Sequence, residues 1–256
     1  MFLLSGAAPA GAACRLALAL ALDVSKSVSL LDYGIQRDGI VAALQNPEIR
    51  KAFLKPQDKV ALAIFEWSGR EHQEPVLDWT MMESVADLDA VTALMAAHDR
   101  NPDRQATALG RALIFAHELI ADAPDCVEQT LDVSGDGRSN DGYSPKEVYE
   151  RWDFTGVTVN GLAIGGHEAD IAAYYADQVI RGPGAFVMTA RRHEDFPDVI
   201  RRKLLRELTD ALLGGVPGQR VQRKGRALGG RRMRTWRRAE VRPCSAIRMP
   251  VRHIVT

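Results

Sequence analysis

From Leu16 to Leu22 leucine and alanine alternate strictly. A period of two over seven residues predicts a strand, and the apolar character of both sets predicts that both of its faces are covered. The pattern changes after Ser27. Leu30, Leu31, Ile35 and Leu44 recur at helical spacing, with Asp32, Gln36 and Arg37 as a polar face, so a helix is expected over about 30–44. Similar runs predict strands at 59–65, 75–80, 128–134, 157–164 and 185–188. Helices are expected at about 83–97, 107–121, 168–180 and 195–213. Ser144-Pro145-Lys146-Glu147 adds a helix start, with Ser as cap, Pro at the first position and Glu closing a capping box. The short link Glu71-His72-Gln73 makes 75–80 an antiparallel edge strand. The expectation is an α/β fold: a doubly wound, mostly parallel six-stranded sheet with helices on both faces and one antiparallel edge strand.

In such sheets ligands bind beyond the carboxyl ends of the strands. Asp23, Ser25 and Ser27 leave the first strand there, one carboxylate and two hydroxyls at i, i+2 and i+4. Oxygen donors at a strand end suit a Mg²⁺- or Ca²⁺-like ion, with water completing the shell. Thr107 opens a later helix, and Asp136, flanked by Gly135 and Gly137, follows the strand expected at 128–134.

This D-x-S-x-S run, followed in order by Thr107 and Asp136, resembles the metal-ion-dependent adhesion site of von Willebrand factor A domains. Glu66-Trp67-Ser68-Gly69, Asp132-Val133-Ser134-Gly135-Asp136-Gly137 and Arg181-Gly182-Pro183-Gly184-Ala185-Phe186 resemble one exported bacterial group within that class, the DUF1194 family. The resemblance implies Mg²⁺, or Mn²⁺ or Ca²⁺, held by Asp23, Ser25, Ser27, Thr107 and Asp136. Asp132, Ser134 and Lys26 are candidates for the surrounding shell. The sequence departs from the pattern twice: Lys26 stands where Gly is usual, and Gln105-Ala106 replace Gly-Gly before Thr107.

The resemblance also implies that the strands bearing Asp23 and Asp136 are neighbours. Cys14 and Cys126 then fall at similar heights near the opposite edge, where a disulfide fits an oxidising compartment and two buried thiols are the alternative. Trp67, at a strand end, is either an exposed contact for a partner or a cap on the core.

Charge divides the chain. Twelve of its thirty-three Lys/Arg but one of its thirty-three Asp/Glu lie in 214–256, so a basic tail follows an acidic body. The acidic body argues against nucleic-acid binding by the folded part. The tail has few large apolar residues and reads as disordered, as a basic arm, or as a segment never selected for folding. Residues 1–13 are apolar, small and uncharged and read as the remnant of a signal sequence, placing the domain at 14–213 and the protein in the periplasm or outside the cell. No run reaches the ~18 apolar residues of a membrane span.

His72, His98, His117, His167 and His193 show no zinc-binding spacing, and there is neither a dinucleotide fingerprint nor a nucleophile elbow. Three functions stay open: a noncatalytic, metal-assisted protein-binding module completed by an acidic residue of a partner; a metal-dependent hydrolase using clustered Asp residues; and a metal-free relic of the fold. Ser25 in place of a second carboxylate near Asp23 weakens the hydrolase.

Overall fold

The computed structural model describes residues 14–56, 58–100 and 106–213, with side chains up to 209. The expectations for 1–13 and for the tail lie outside the described residues.

Six strands form one sheet: β1 (Cys14–Asp23), β2 (Lys59–Trp67), β3 (Gln73–Met82), β4 (Cys126–Gly135), β5 (Val157–Ile164) and β6 (Val187–Ala190). Their spatial order is β3-β2-β1-β4-β5-β6. All neighbours are parallel except β2 and β3, so the expected sheet, with its antiparallel edge, is the one found. Order reverses at β1, which pairs with β2 on one side and β4 on the other. A crevice opens at such a reversal, beyond the carboxyl ends.

The Leu/Ala alternation of β1 sorts the helices. Leu16, Leu18, Leu20 and Leu22 face one core, built with Ile40, Leu44, Phe53, Leu88, Phe196, Leu204 and Leu208. That core lies under α1 (Leu30–Gln45), α2 (Pro47–Phe53), α3 (Val85–Ala97) and α7 (Phe196–Leu213). Ala19 and Ala21 face the other, with Leu109, Leu113, Leu131, Val133 and Tyr175. Short side chains there let α4 (Leu109–Ala121) approach β1, beside α5 (Pro145–Arg151). The full burial of both faces explains why β1 carries no polar residue between Leu16 and Leu22.

Three local expectations are corrected. Leu30 and Leu31 do not join the buried face of α1; they are 77% and 74% exposed, whereas Gln36 is buried. Ser29 caps the helix in a box with Asp32, and Gly39 lets Phe196 approach (a Cβ there would lie 3.0 Å from its Cδ1), so these contacts set the helix rotation. Helix α2 was not expected, because seven residues give too little periodicity. Its signal is Asn46, whose side chain accepts from the Glu48 and Ile49 N–H groups ahead of Pro47. The helix expected at 168–180 is broken: Asp170 is left-handed (φ 62°), α6 covers only Ile171–Tyr174, and a π-turn follows over Tyr175–Val179. The wider turn belongs to the segment that buries Tyr175 completely, against the site described next.

Candidate functional site

Asp23 ends β1 fully buried. Its Oδ1 accepts the Ser25 N–H at 2.7 Å, which folds the chain sharply after the strand. The Ser25 and Ser27 hydroxyls are 3.1 Å apart, and Ser27 donates to Asp136 Oδ1 at 2.6 Å. Asp23, Ser25, Ser27 and Asp136 therefore form one continuous chain of polar contacts across the β1/β4 end. Gly135 makes this possible: a Cβ there would lie 2.7 Å from Asp23 Oδ2 and 2.5 Å from the Tyr175 hydroxyl.

Thr107, 4% exposed, lies in the same cleft as Ser27, Lys26, Ala106, Gly137, Asn140, His167 and Glu168. The cleft encloses about 470 Å³. Asn140 fixes Thr107 from both sides, its Oδ1 accepting the Thr107 N–H at 2.9 Å and its N–H donating to the Thr107 carbonyl at 2.8 Å. The Thr107 Oγ1 faces the Gly137 backbone, where a Cβ would be 3.4 Å away.

Two carboxyls are buried together at this end of the sheet. Burial, and then the neighbouring Asp136, push the Asp23 carboxyl up to about 7, against the hydrogen bonds from Ser25. Asp136 is raised too, chiefly by burial, with the Ser27 hydrogen bond, His193 and His167 pulling the other way. The same two carboxylates add to the burial that raises the Tyr175 hydroxyl well above its ordinary range. Oδ2 of Asp23 and Oδ2 of Asp136 are buried and accept no hydrogen bond among the described residues.

A divalent cation fits this donor set. Two unpartnered carboxylate oxygens beside three hydroxyls are hard ligands of the kind Mg²⁺ prefers. Among the described residues no group of three or more His, Cys, Asp and Glu forms a metal cluster, so an ion here must lean on hydroxyls and water.

Of the surrounding candidates, Lys26 is exposed on the cleft wall, and Ser134 donates to the Ala21 carbonyl at 3.3 Å. Asp132 is not drawn into the site: its Oδ1 lies 2.7 Å from Lys203 Nζ of α7. Trp67 is 0% exposed, so it caps the core and offers no contact to a partner. Cys14 and Cys126 are joined as a disulfide, with Cα atoms 4.4 Å apart at the far end of β1 and β4.

Sequence reasoning missed Arg100. Its buried guanidinium donates to the carbonyls of Val28 at 2.7 Å, Ser25 at 2.9 Å and Val24, gripping the Ser25–Ser27 loop from below. No periodicity or motif marks an arginine 72 residues from its partner. Asn140 was legible only as part of a polar turn.

A family model described as a protein of unknown function, DUF1194, matches residues 13–212. No curated protein matches the chain. Among solved structures, it is similar to proximal thread matrix protein 1 from the mussel byssus with a zinc-occupied MIDAS motif (15% identity, TM-score 0.58, 77% of this chain and 48% of that one). It is similar to the PilB minor pilin from Streptococcus sanguinis (11%, 0.62, 81% and 65%). It is also similar to a von Willebrand factor type A protein from Catenulispora acidiphila (16%, 0.54, 77% and 43%). The chain spans about half the length of the first of these. At such identities the likeness establishes a fold of the von Willebrand factor A type.

Proposed function

The chain belongs to the DUF1194 family, and on that premise we propose that residues 14–213 form a noncatalytic, divalent-metal-assisted protein-binding module. Asp23, Ser25, Ser27, Thr107 and Asp136 would hold the ion, Mg²⁺ before Mn²⁺ or Ca²⁺. An ion held there would supply a charge that an acidic side chain of a partner could complete. The observation that carries this reading is the pair of buried, unpartnered Oδ2 atoms on Asp23 and Asp136, behind the Ser27 hydroxyl that lines the cleft and donates to Asp136.

Lys26 and His167 line that cleft and Arg138 stands beside it, a setting that favours an anionic group. The remaining carboxylate on its wall is engaged: Glu168 Oε1 accepts the Arg138 N–H and Oε2 meets the Arg138 guanidinium, each at 3.2 Å. That supports binding over hydrolysis, which needs a carboxylate base beside the ion. The similar structures include a byssus matrix protein with zinc in its MIDAS motif, a minor pilin and a pilus adhesin. The disulfide supports an exported protein. Among the described residues no helix is long and apolar enough to cross a membrane.

Titration calorimetry of the purified chain with Mg²⁺, Mn²⁺ and Ca²⁺ tests the reading. One saturable site, lost in Asp23→Asn, is expected. Absence of binding to all three ions would overturn it.

A further inference from the structure

Away from the cleft, between β4, β5 and α7, lies a second polar cluster that is almost fully buried. Lys203 on α7 is 0% exposed, Asp132 on β4 2%, Asn160 on β5 3% and Glu207 on α7 4%. The Lys203 Nζ is 2.7 Å from Asp132 Oδ1 and 2.6 Å from Glu207 Oε1. Asn160, which pairs with Asp132 in the β4/β5 register, donates from Nδ2 to the same Glu207 oxygen at 2.8 Å. Its Oδ1 accepts the Phe186 N–H at 3.1 Å. The Phe186 ring covers the amine, with Nζ 5.1 Å from its centroid, and the Arg206 guanidinium stacks on that ring at 3.7 Å.

As a set of ions this cluster is costly. Three ionisable groups have left water, and neither oxygen of Asp132 accepts a hydrogen bond of normal geometry among the described residues. The arrangement is nevertheless ordered for a reaction. An amine touches a carboxyl, a second carboxyl touches the amine, and an aromatic ring excludes water. Held contact of this kind replaces the entropy loss of a bimolecular encounter.

We propose that Lys203 and Asp132 are joined by an amide bond between Lys203 Nζ and Asp132 Cγ, formed within the folded chain with Glu207 as the proton carrier. Glu207 takes one proton from the ammonium, and the free amine attacks Asp132 Cγ. The new C–N bond forms and one C–O bond of Asp132 breaks. The departing oxygen receives that first proton and a second from the nitrogen, both through Glu207, and leaves as water. The sum is one ammonium and one carboxylate converted to one amide and one water, with Glu207 returned to its starting state and no oxidant or activating group required. Burial, then the nearby Asp132, raise the Glu207 carboxyl to about 7 against the pull of Lys203, which suits a group that must both accept and return a proton near neutrality. The product exchanges two buried charges for one N–H and one C=O. Glu207 remains in place to accept from that N–H. The bond would fasten the last helix to the strand that leads into Asp136.

Peptide mapping of the purified full chain by mass spectrometry, after reduction and alkylation, decides the matter. Trypsin does not cleave after an acylated lysine, so Lys203 should appear still attached to Leu204 and joined to the peptide that contains Asp132. The joined species should be lighter by one water than the sum of its parts. Recovery of both peptides separate and at full mass would overturn the proposal and leave a noncovalent ion cluster. In Glu207→Gln, which keeps the amine and the carboxyl, the joined species should fall at least about tenfold, the low end of what a proton-transfer group contributes being larger still. Formation as in the unaltered chain would remove Glu207 as the carrier.

Discussion

Ser27 donates its hydroxyl proton to Asp136 Oδ1 at 2.6 Å, closing the site across 109 residues of sequence. The bond aligns the first loop with the end of β4 and leaves Asp136 Oδ2 unengaged. Ser27→Ala and Asp136→Asn should each weaken Mg²⁺ or Mn²⁺ binding by at least about 10-fold, the lower range for altering a metal-site partner. Calorimetry reads this directly. Binding unchanged in both variants would exclude the ligand set proposed here.

Lys26 projects from the same loop onto the cleft wall. A cation there opposes a second one. Lys26→Gly should raise divalent-metal affinity by about fivefold, the size of a ~1 kcal/mol charge term in water. The gain should shrink as salt is added. An affinity that does not change at low salt would remove Lys26 from the site's electrostatics.

Arg100 carries the loop. Its guanidinium serves the carbonyls of Val24, Ser25 and Val28, and charged hydrogen bonds of this kind contribute about 1.5–3 kcal/mol each. Arg100→Met keeps much of the stem but removes the guanidinium from all three carbonyls, leaving the Ser25 carbonyl with the Val28 N–H alone. Thermal unfolding should show a lower midpoint, and metal affinity should fall with it. A variant as stable as the parent would show that water replaces the guanidinium without loss.

The Cys14–Cys126 bridge ties β1 to β4 over a separation of 112 residues. Cys14→Ser with Cys126→Ser should lower stability by about 2–5 kcal/mol. Denaturant titration of the variant, beside the parent with and without reductant, measures it. A parent indifferent to reductant would mean that the bridge adds nothing.

Glu66 is buried beside Tyr33, whose hydroxyl donates to it at 2.9 Å, and His98 at 3.3 Å. Burial holds its carboxyl above the ordinary value of 4.5, against the opposing pull of His98 and Tyr33. The folded state thus keeps this proton more tightly than the unfolded state does. The resulting stability is fully present below about 4.5 and is lost as pH rises through the raised folded value. Unfolding free energy measured upward from that pH should decline more in the parent than in Glu66→Gln. Parallel profiles would contradict the shift.

The strict Leu/Ala alternation determined β1 and its burial on both faces, because a period of two over seven residues fits no helix. Turn and cap residues likewise determined where α5 begins, since Ser144 and Glu147 satisfy each other within one turn. The order of Asp23, Ser25, Ser27, Thr107 and Asp136 along the chain could be read as a pattern, because each lies at the end of an element that local sequence marks. Their distances could not. Tertiary structure alone brought Ser27 to Asp136, set Arg100 beneath the loop, and turned Trp67 inward. It also carried Asp132 away from the site and against Lys203: it lies four residues before Asp136, roughly 13 Å back along the strand, where α7 covers the sheet. Local sequence records the period of an element; the partner that each side chain finds depends on packing between segments far apart along the chain.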